Sequence, residues 1–145
     1  MFESCLERQK AVKDLFTDCR TLDERYQRII DLGKTQKPLA PQDKTEENFV
    51  QGCQSLMYMK TICTEGRVYF ETESDAIISA GLGILLVKVY SGEEPETILK
   101  CQPTYLDELN IRASLTPGRA NGLASLYLRM KQEALKVYMR MHKDT

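Results

Sequence analysis

The chain has 145 residues, enough for one domain that hides about two thirds of its unfolded surface and needs no covalent staples. Charged residues make up 28% of it and nearly cancel to a net charge of -1, which argues against a dedicated nucleic-acid or membrane-surface binder. Five cysteines without a C-x-x-C pair, behind a Met1-Phe2-Glu3-Ser4 opening that is no signal peptide, point to a reduced cytoplasmic compartment; the longest apolar run, Ala80 to Val87, is too short to span a bilayer.

In chain order, Leu6, Val12, Leu15, Phe16 and Cys19 make a ragged helical stripe. Thr21-Leu22-Asp23-Glu24 then reads as a capping box, the Thr21 hydroxyl and the Glu24 carboxylate satisfying each other's orphan backbone donors. Leu22, Tyr26, Ile29, Ile30 and Gly33 share the face of that second helix, and Gly33-Lys34 stops it. Thr35 to Asn48 carries Pro38 and Pro41 and reads as an extended surface connection without regular structure. After Cys53 the period changes to two: Leu56, Tyr58 and Ile62 alternate with Ser55, Met57, Met59 and Thr61, Glu65-Gly66 turns, and Val68, Phe70 and Thr72 continue. That pattern predicts a β-hairpin.

Ser74-Asp75 reads as the cap of a helix over Ala76 to Tyr90 that is apolar nearly all round, and therefore buried on most sides. Pro95 and Pro103 each open a short helix, and Thr116-Pro117 opens the last, with Leu123, Leu126, Tyr127, Met130, Ala134, Val137, Tyr138 and Met141 on one side. Its other face holds Arg129, Gln132, Glu133, Lys136, Arg140 and Lys143. From Pro117 onward six Lys/Arg stand against Glu133 and Asp144, a net +4, which reads as a solvated helix face rather than a basic docking surface. The expected architecture is one α+β domain over residues 1–145, a small antiparallel sheet of two to three strands packed against several helices.

Cys5, Cys19, Cys63 and Cys101 fall on or beside regular elements and read as buried small hydrophobes, whereas Cys53 stands in Gln51-Gly52-Cys53-Gln54-Ser55, where the proline-bearing segment ends. Gly52 permits backbone angles that hold Cys53 at the tip of a tight bend. A Cys-His nucleophile needs a base, and the one histidine, His142, reads as a surface residue near a helix C-terminus. The cysteine spacings match no zinc or ferredoxin arrangement, although Cys53, Cys63, Cys101 and a carboxylate such as Asp75 could be assembled by the fold into an iron-sulfur scaffold. Gly81-Leu82-Gly83 lacks the lysine of a phosphate loop and reads as close helix packing. A thiolate attacking sulfur needs neither an oxyanion hole nor a resident base, so a single cysteine suffices to carry sulfur.

Asn48-x-Val50-x-Gly52-Cys53-Gln54-Ser55, Ser74-Asp75-Ala76, Gly81-Leu82-x-x-Leu85-Leu86 and Leu115-Thr116-Pro117-x-Arg119-x-Asn121-Gly122-Leu123, with Tyr90-Ser91-Gly92, Pro95 and Ile98-Leu99 between, together resemble the SufE family of sulfur acceptors. The resemblance implies a SufE/IscU-like fold and a protein that binds and activates a pyridoxal-phosphate cysteine desulfurase (SufS-like). It would take persulfide sulfur on Cys53 and pass it to an iron-sulfur scaffold (SufB-like). It implies a persulfide carrier rather than a stand-alone enzyme, without a cofactor of its own, and a monomer or weak homodimer. Gly52, Gln54, Ser55, Asp75, Arg119 and Asn121 are implied as loop supports or partner contacts; Asp75 reads equally as a helix-start carboxylate, and Arg119 also as a first-turn residue paired with an acid. The chain departs from the family pattern at Tyr58, where tryptophan is common, at Gly118 and Ala120, which replace serines, and in the loosely similar stretch Lys37 to Pro41.

Overall fold

A computed structural model describes residues 1–143. Its elements are α1 (Glu3–Asp14), α2 (Leu22–Gly33), a 3-10 turn (Pro41–Asp43), β1 (Met57–Thr64), β2 (Arg67–Ser74), α3 (Ile77–Tyr90), α4 (Pro95–Lys100), α5 (Thr104–Glu108), a second 3-10 turn (Arg112–Ser114) and α6 (Pro117–Met141). This is the expected α+β arrangement, six helices against a two-stranded antiparallel sheet.

α3 is the axis of the core. Ten of its residues are buried, from Ile78 to Tyr90, and helices and sheet pack on its several sides. The closest approach is to α2, where a Cβ on Gly81 would lie 2.0 Å from Ile29 O and one on Gly33 would lie 2.1 Å from Ile77 O. Both glycines bring backbone against backbone, which the close-packing reading of Gly81 anticipates. The Ser74-Asp75 cap differs: α3 starts from Ala76 with no side-chain cap, Ser74 Oγ accepting only the Ala76 N–H at 3.3 Å while the Asp75 carboxylate is engaged elsewhere.

The hairpin runs in the register Met57↔Ser74 to Thr64↔Arg67 and turns at Glu65 (φ 52) and Gly66 (φ 77), the double left-handed conformation that matches strand twist. Met57, Met59, Val68 and Phe70 face the core, while Leu56 and Ile62 are exposed. The segment before β1 adds one bridge, Phe49↔Tyr58, with Val50 N donating to Met57 O at 2.9 Å and Met59 N to Asn48 O at 2.8 Å.

Three other expectations change. The inward stripe of α1 is Cys5, Gln9 and Val12, continued by Phe16 just past the helix end, with Leu6 and the C-cap Leu15 exposed, because the Gln9 amide finds partners in the core and can therefore be buried. The capping box of α2 is half formed: Thr21 Oγ1 accepts the Glu24 N–H at 3.1 Å, but the Glu24 carboxylate accepts from Arg20 N one residue earlier. Thr35 to Asn48 is not a free connection, since Leu39 is buried, Gln36 exchanges two hydrogen bonds with the Ser74 backbone, and Pro41–Asp43 closes a 3-10 turn.

Candidate functional site

The Cys53 bend is built against the N-terminal half of α6. Gly52 adopts φ +88, and a Cβ there would meet Ser125 Oγ at 2.4 Å, so both the turn and the contact require glycine. Gly118, Gly122 and Ser125 recur at helical spacing and give α6 a face of small residues. Over it the Cys53 thiol, half-buried, lies 3.7 Å from Gly122 O in donor geometry. Gly118 leaves room for Gln54, whose Oε1 would be 2.6 Å from an added Cβ; in this chain the glycine in place of a serine lets the Gln54 amide lie on the helix.

Arg119 ties the next residue down. Its Nη1 donates to Ser55 Oγ and, at 2.9 Å, to Ser79 Oγ, and Ser79 Oγ lies 3.2 Å from Ser55 Oγ, so loop, α3 and α6 meet at one guanidinium. The acid partner expected in the bland reading of Arg119 is not found: no ion pair of Arg119 occurs among the described residues, and its backbone N–H is taken by the Thr116 cap at 3.3 Å. Asp75 holds the loop's other end, its Oδ1 accepting the Leu56 N–H at 3.1 Å and its own N–H reaching Leu56 O at 3.3 Å. Asn121 is exposed, and no hydrogen bond among the described residues joins it to the loop. Gly52, Cys53, Gln54, Ser55, Asp75 and Arg119 thus come together, and Asn121 stands apart.

Ser79, Gly122 and Ser125 are site neighbours outside the set chosen from the sequence. Ser79 carried a signal as a polar residue within an apolar helix, and Gly122 carried one as part of the Arg119-x-Asn121-Gly122-Leu123 string; Ser125 carried none.

Cys53, Met57, Ser79, Leu82, Arg119 and Leu123 are among the residues lining a pocket of about 10 Å³ free volume, room for roughly one water-sized group. Burial raises the Cys53 pKa above the ordinary thiol value, so the resting group is protonated and weakly nucleophilic. His142 caps the far end of α6, twenty residues beyond Gly122 and about 30 Å along the helix, where it stacks on Tyr138. It cannot act as base on Cys53. Among the described residues no three His, Cys, Asp or Glu side chains are grouped to hold a metal ion: Cys101 is buried beside Cys5, and Cys63, expected to be buried, is exposed near the hairpin turn. No helix of the described chain is long and apolar enough to cross a membrane.

The family model described as SufE, Fe-S metabolism associated domain, matches residues 10–134. The chain belongs to the SufE family. It is 35% identical over 138 residues to SufE-like protein 1, chloroplastic/mitochondrial, of Arabidopsis thaliana, a match covering 94% of this chain and 37% of that protein. It therefore spans little more than a third of that relative's length. An uncharacterized SufE-like protein of Synechocystis sp. is 32% identical over 112 residues, covering 77% of this chain and 70% of that one. The fold recurs in the solution structure of a hypothetical protein from Thermus thermophilus, with a TM-score of 0.73, 22% identity and coverage of 91% and 96% of the two chains.

Proposed function

We propose that this SufE-family chain is a sulfur acceptor and carrier in iron-sulfur metabolism, with Cys53 as the residue that changes covalent state. The observation that carries the reading is the Cys53 thiol, half-buried on a glycine bend and facing a pocket with room for about one further atom or small group. The donor would be the persulfide of a cysteine desulfurase, whose pyridoxal phosphate stays with that partner, and the recipient an iron-sulfur scaffold.

The chemistry is sulfur-sulfur exchange. The Cys53 thiolate attacks the terminal sulfur of the partner's persulfide, a new S–S bond forms to Cys53, the old one breaks, and the partner's cysteine leaves as a thiolate. One zero-valent sulfur moves and no external oxidant is needed. The raised pKa of the resting thiol means that the partner must strip the proton or open the bend before transfer. The same shelter slows oxidation of the carrier while it waits in a reducing compartment.

Purified protein incubated with a cysteine desulfurase and cysteine, then alkylated and mapped by peptide mass spectrometry, should carry the added sulfur on Cys53. Cys53→Ser should reduce transfer to background with an unchanged circular dichroism spectrum. Sulfur recovered on Cys63 or Cys101 would sink the assignment.

A further inference from the structure

A pair of thiols lies in the core, outside the set that lines the Cys53 pocket. Cys5, on the inward face of α1, is 0% exposed, and Cys101, at the C-terminal cap of α4, is 4% exposed. Both converge on one group: the Gln9 amide nitrogen is 3.8 Å from Cys5 Sγ and 3.5 Å from Cys101 Sγ, so the two sulfurs flank a single nitrogen. Gln9 is itself fixed. Its Nε2 donates to Gln102 O at 2.9 Å, and its Oε1 accepts from Thr104 Oγ1 at 3.2 Å and Tyr105 N at 3.3 Å.

We propose that Cys5 and Cys101 are a latent disulfide pair, converted by a hydroperoxide into a bond that staples α1 to the turn between α4 and α5. One sulfur, as thiolate, attacks a peroxide oxygen; the O–O bond breaks, leaving a sulfenic acid and hydroxide. The second sulfur, losing its proton, displaces hydroxide from the sulfenic sulfur. Two thiols and one hydrogen peroxide become one disulfide and two waters, the sulfurs losing the two electrons that the peroxide gains. The fully buried Cys5 holds its proton, so the oxidant acts when α1 opens. That helix starts from Phe2 at φ 62 without a side-chain cap and exposes Leu6 and Leu15. In a reducing thiol pool the pair rests unbonded. Once formed, the bond closes a loop of roughly a hundred residues and restricts the unfolded chain, while Cys53 keeps its thiol for other chemistry.

The test uses the wild-type chain with its accessible thiols alkylated in the native state, then treated with hydrogen peroxide, denatured, and digested with trypsin without reduction. The expected product links the peptide Met1–Arg8 to the peptide Cys101–Arg112, about 2 Da lighter than their sum, and the link disappears on reduction. The oxidised protein should also melt several degrees above the same sample after reduction. Recovery of Cys5 and Cys101 as free thiols or as separate sulfinic acids, or linkage of either to Cys19, would overturn the proposal. An oxidised form that melts below the reduced one would show that the two positions cannot take the bond without strain.

Discussion

Ser79 sits near the start of an otherwise apolar helix, and its hydroxyl has partners from two distant parts of the chain, the Arg119 guanidinium at 2.9 Å and Ser55 Oγ at 3.2 Å. A buried hydroxyl in such a position is matched by the donors around it; removing it leaves the guanidinium with one acceptor fewer. The net loss for such a bond is about 1 kcal/mol, which corresponds to about a fivefold change in an opening equilibrium. Ser79→Ala should therefore leave the fold intact while Cys53 reacts with iodoacetamide about five times faster, because the loop opens more often. Alkylation at the wild-type rate would show that the three-way contact does not govern access to the thiol. Arg119 is thereby read as a positioning residue for the bend, whereas Gly52 acts through its backbone angle and its closeness to Ser125.

Among the elements, the α2–α3 contact depends most directly on a single atom. Glycine inside a helix ordinarily costs about 0.5–1 kcal/mol relative to alanine, so a Gly→Ala change there would stabilise an exposed helix. At Gly81 the added methyl would stand 2.0 Å from the Ile29 carbonyl oxygen, and relief requires the two backbones to separate. Gly81→Ala should then destabilise the protein by about 1–3 kcal/mol, seen as a lower urea midpoint. A raised midpoint would mean that the helices part at little cost. Such elements were legible where their chemistry is local: the Thr21 cap, the Glu65-Gly66 turn, and the proline starts of α4 and α6. They were misread where a partner far along the chain decides. The buried face of α1 includes Gln9, polar by pattern yet satisfied by Gln102 and Tyr105. Likewise Arg129, placed by periodicity on the solvated face of α6, donates to the carbonyls of Phe49 and Glu47 and pairs with Glu133, latching the segment before the Cys53 bend.

At the scale of the whole molecule, the site joins residues 52–56, Asp75, Ser79 and the first turns of α6, so its strings were readable but their mutual distances were not. The same is true of its ionisable groups, because burial depends on the assembled core. Desolvation, helped by the Cys101 thiol, pushes Cys5 up to about 12, and burial likewise raises the phenols of Tyr90 and Tyr105, whose hydroxyls donate to Cys101 O and Leu85 O. In the unfolded chain a thiol loses its proton near pH 8.5 and a tyrosine near pH 10. Between those values and the raised folded ones, the folded state binds more protons than the unfolded state, and stability falls as pH rises. The stabilisation is whole below about pH 8.5 and is lost progressively above it, by up to about 1.4 kcal/mol per pH unit for each such group. Urea midpoints measured from about pH 7 to about pH 11 should stay level to about pH 8.5 and then decline with increasing slope as the tyrosines join. A level midpoint through about pH 11 would mean that these groups ionise within the fold, and that the core around Cys5, Tyr90 and Tyr105 admits water.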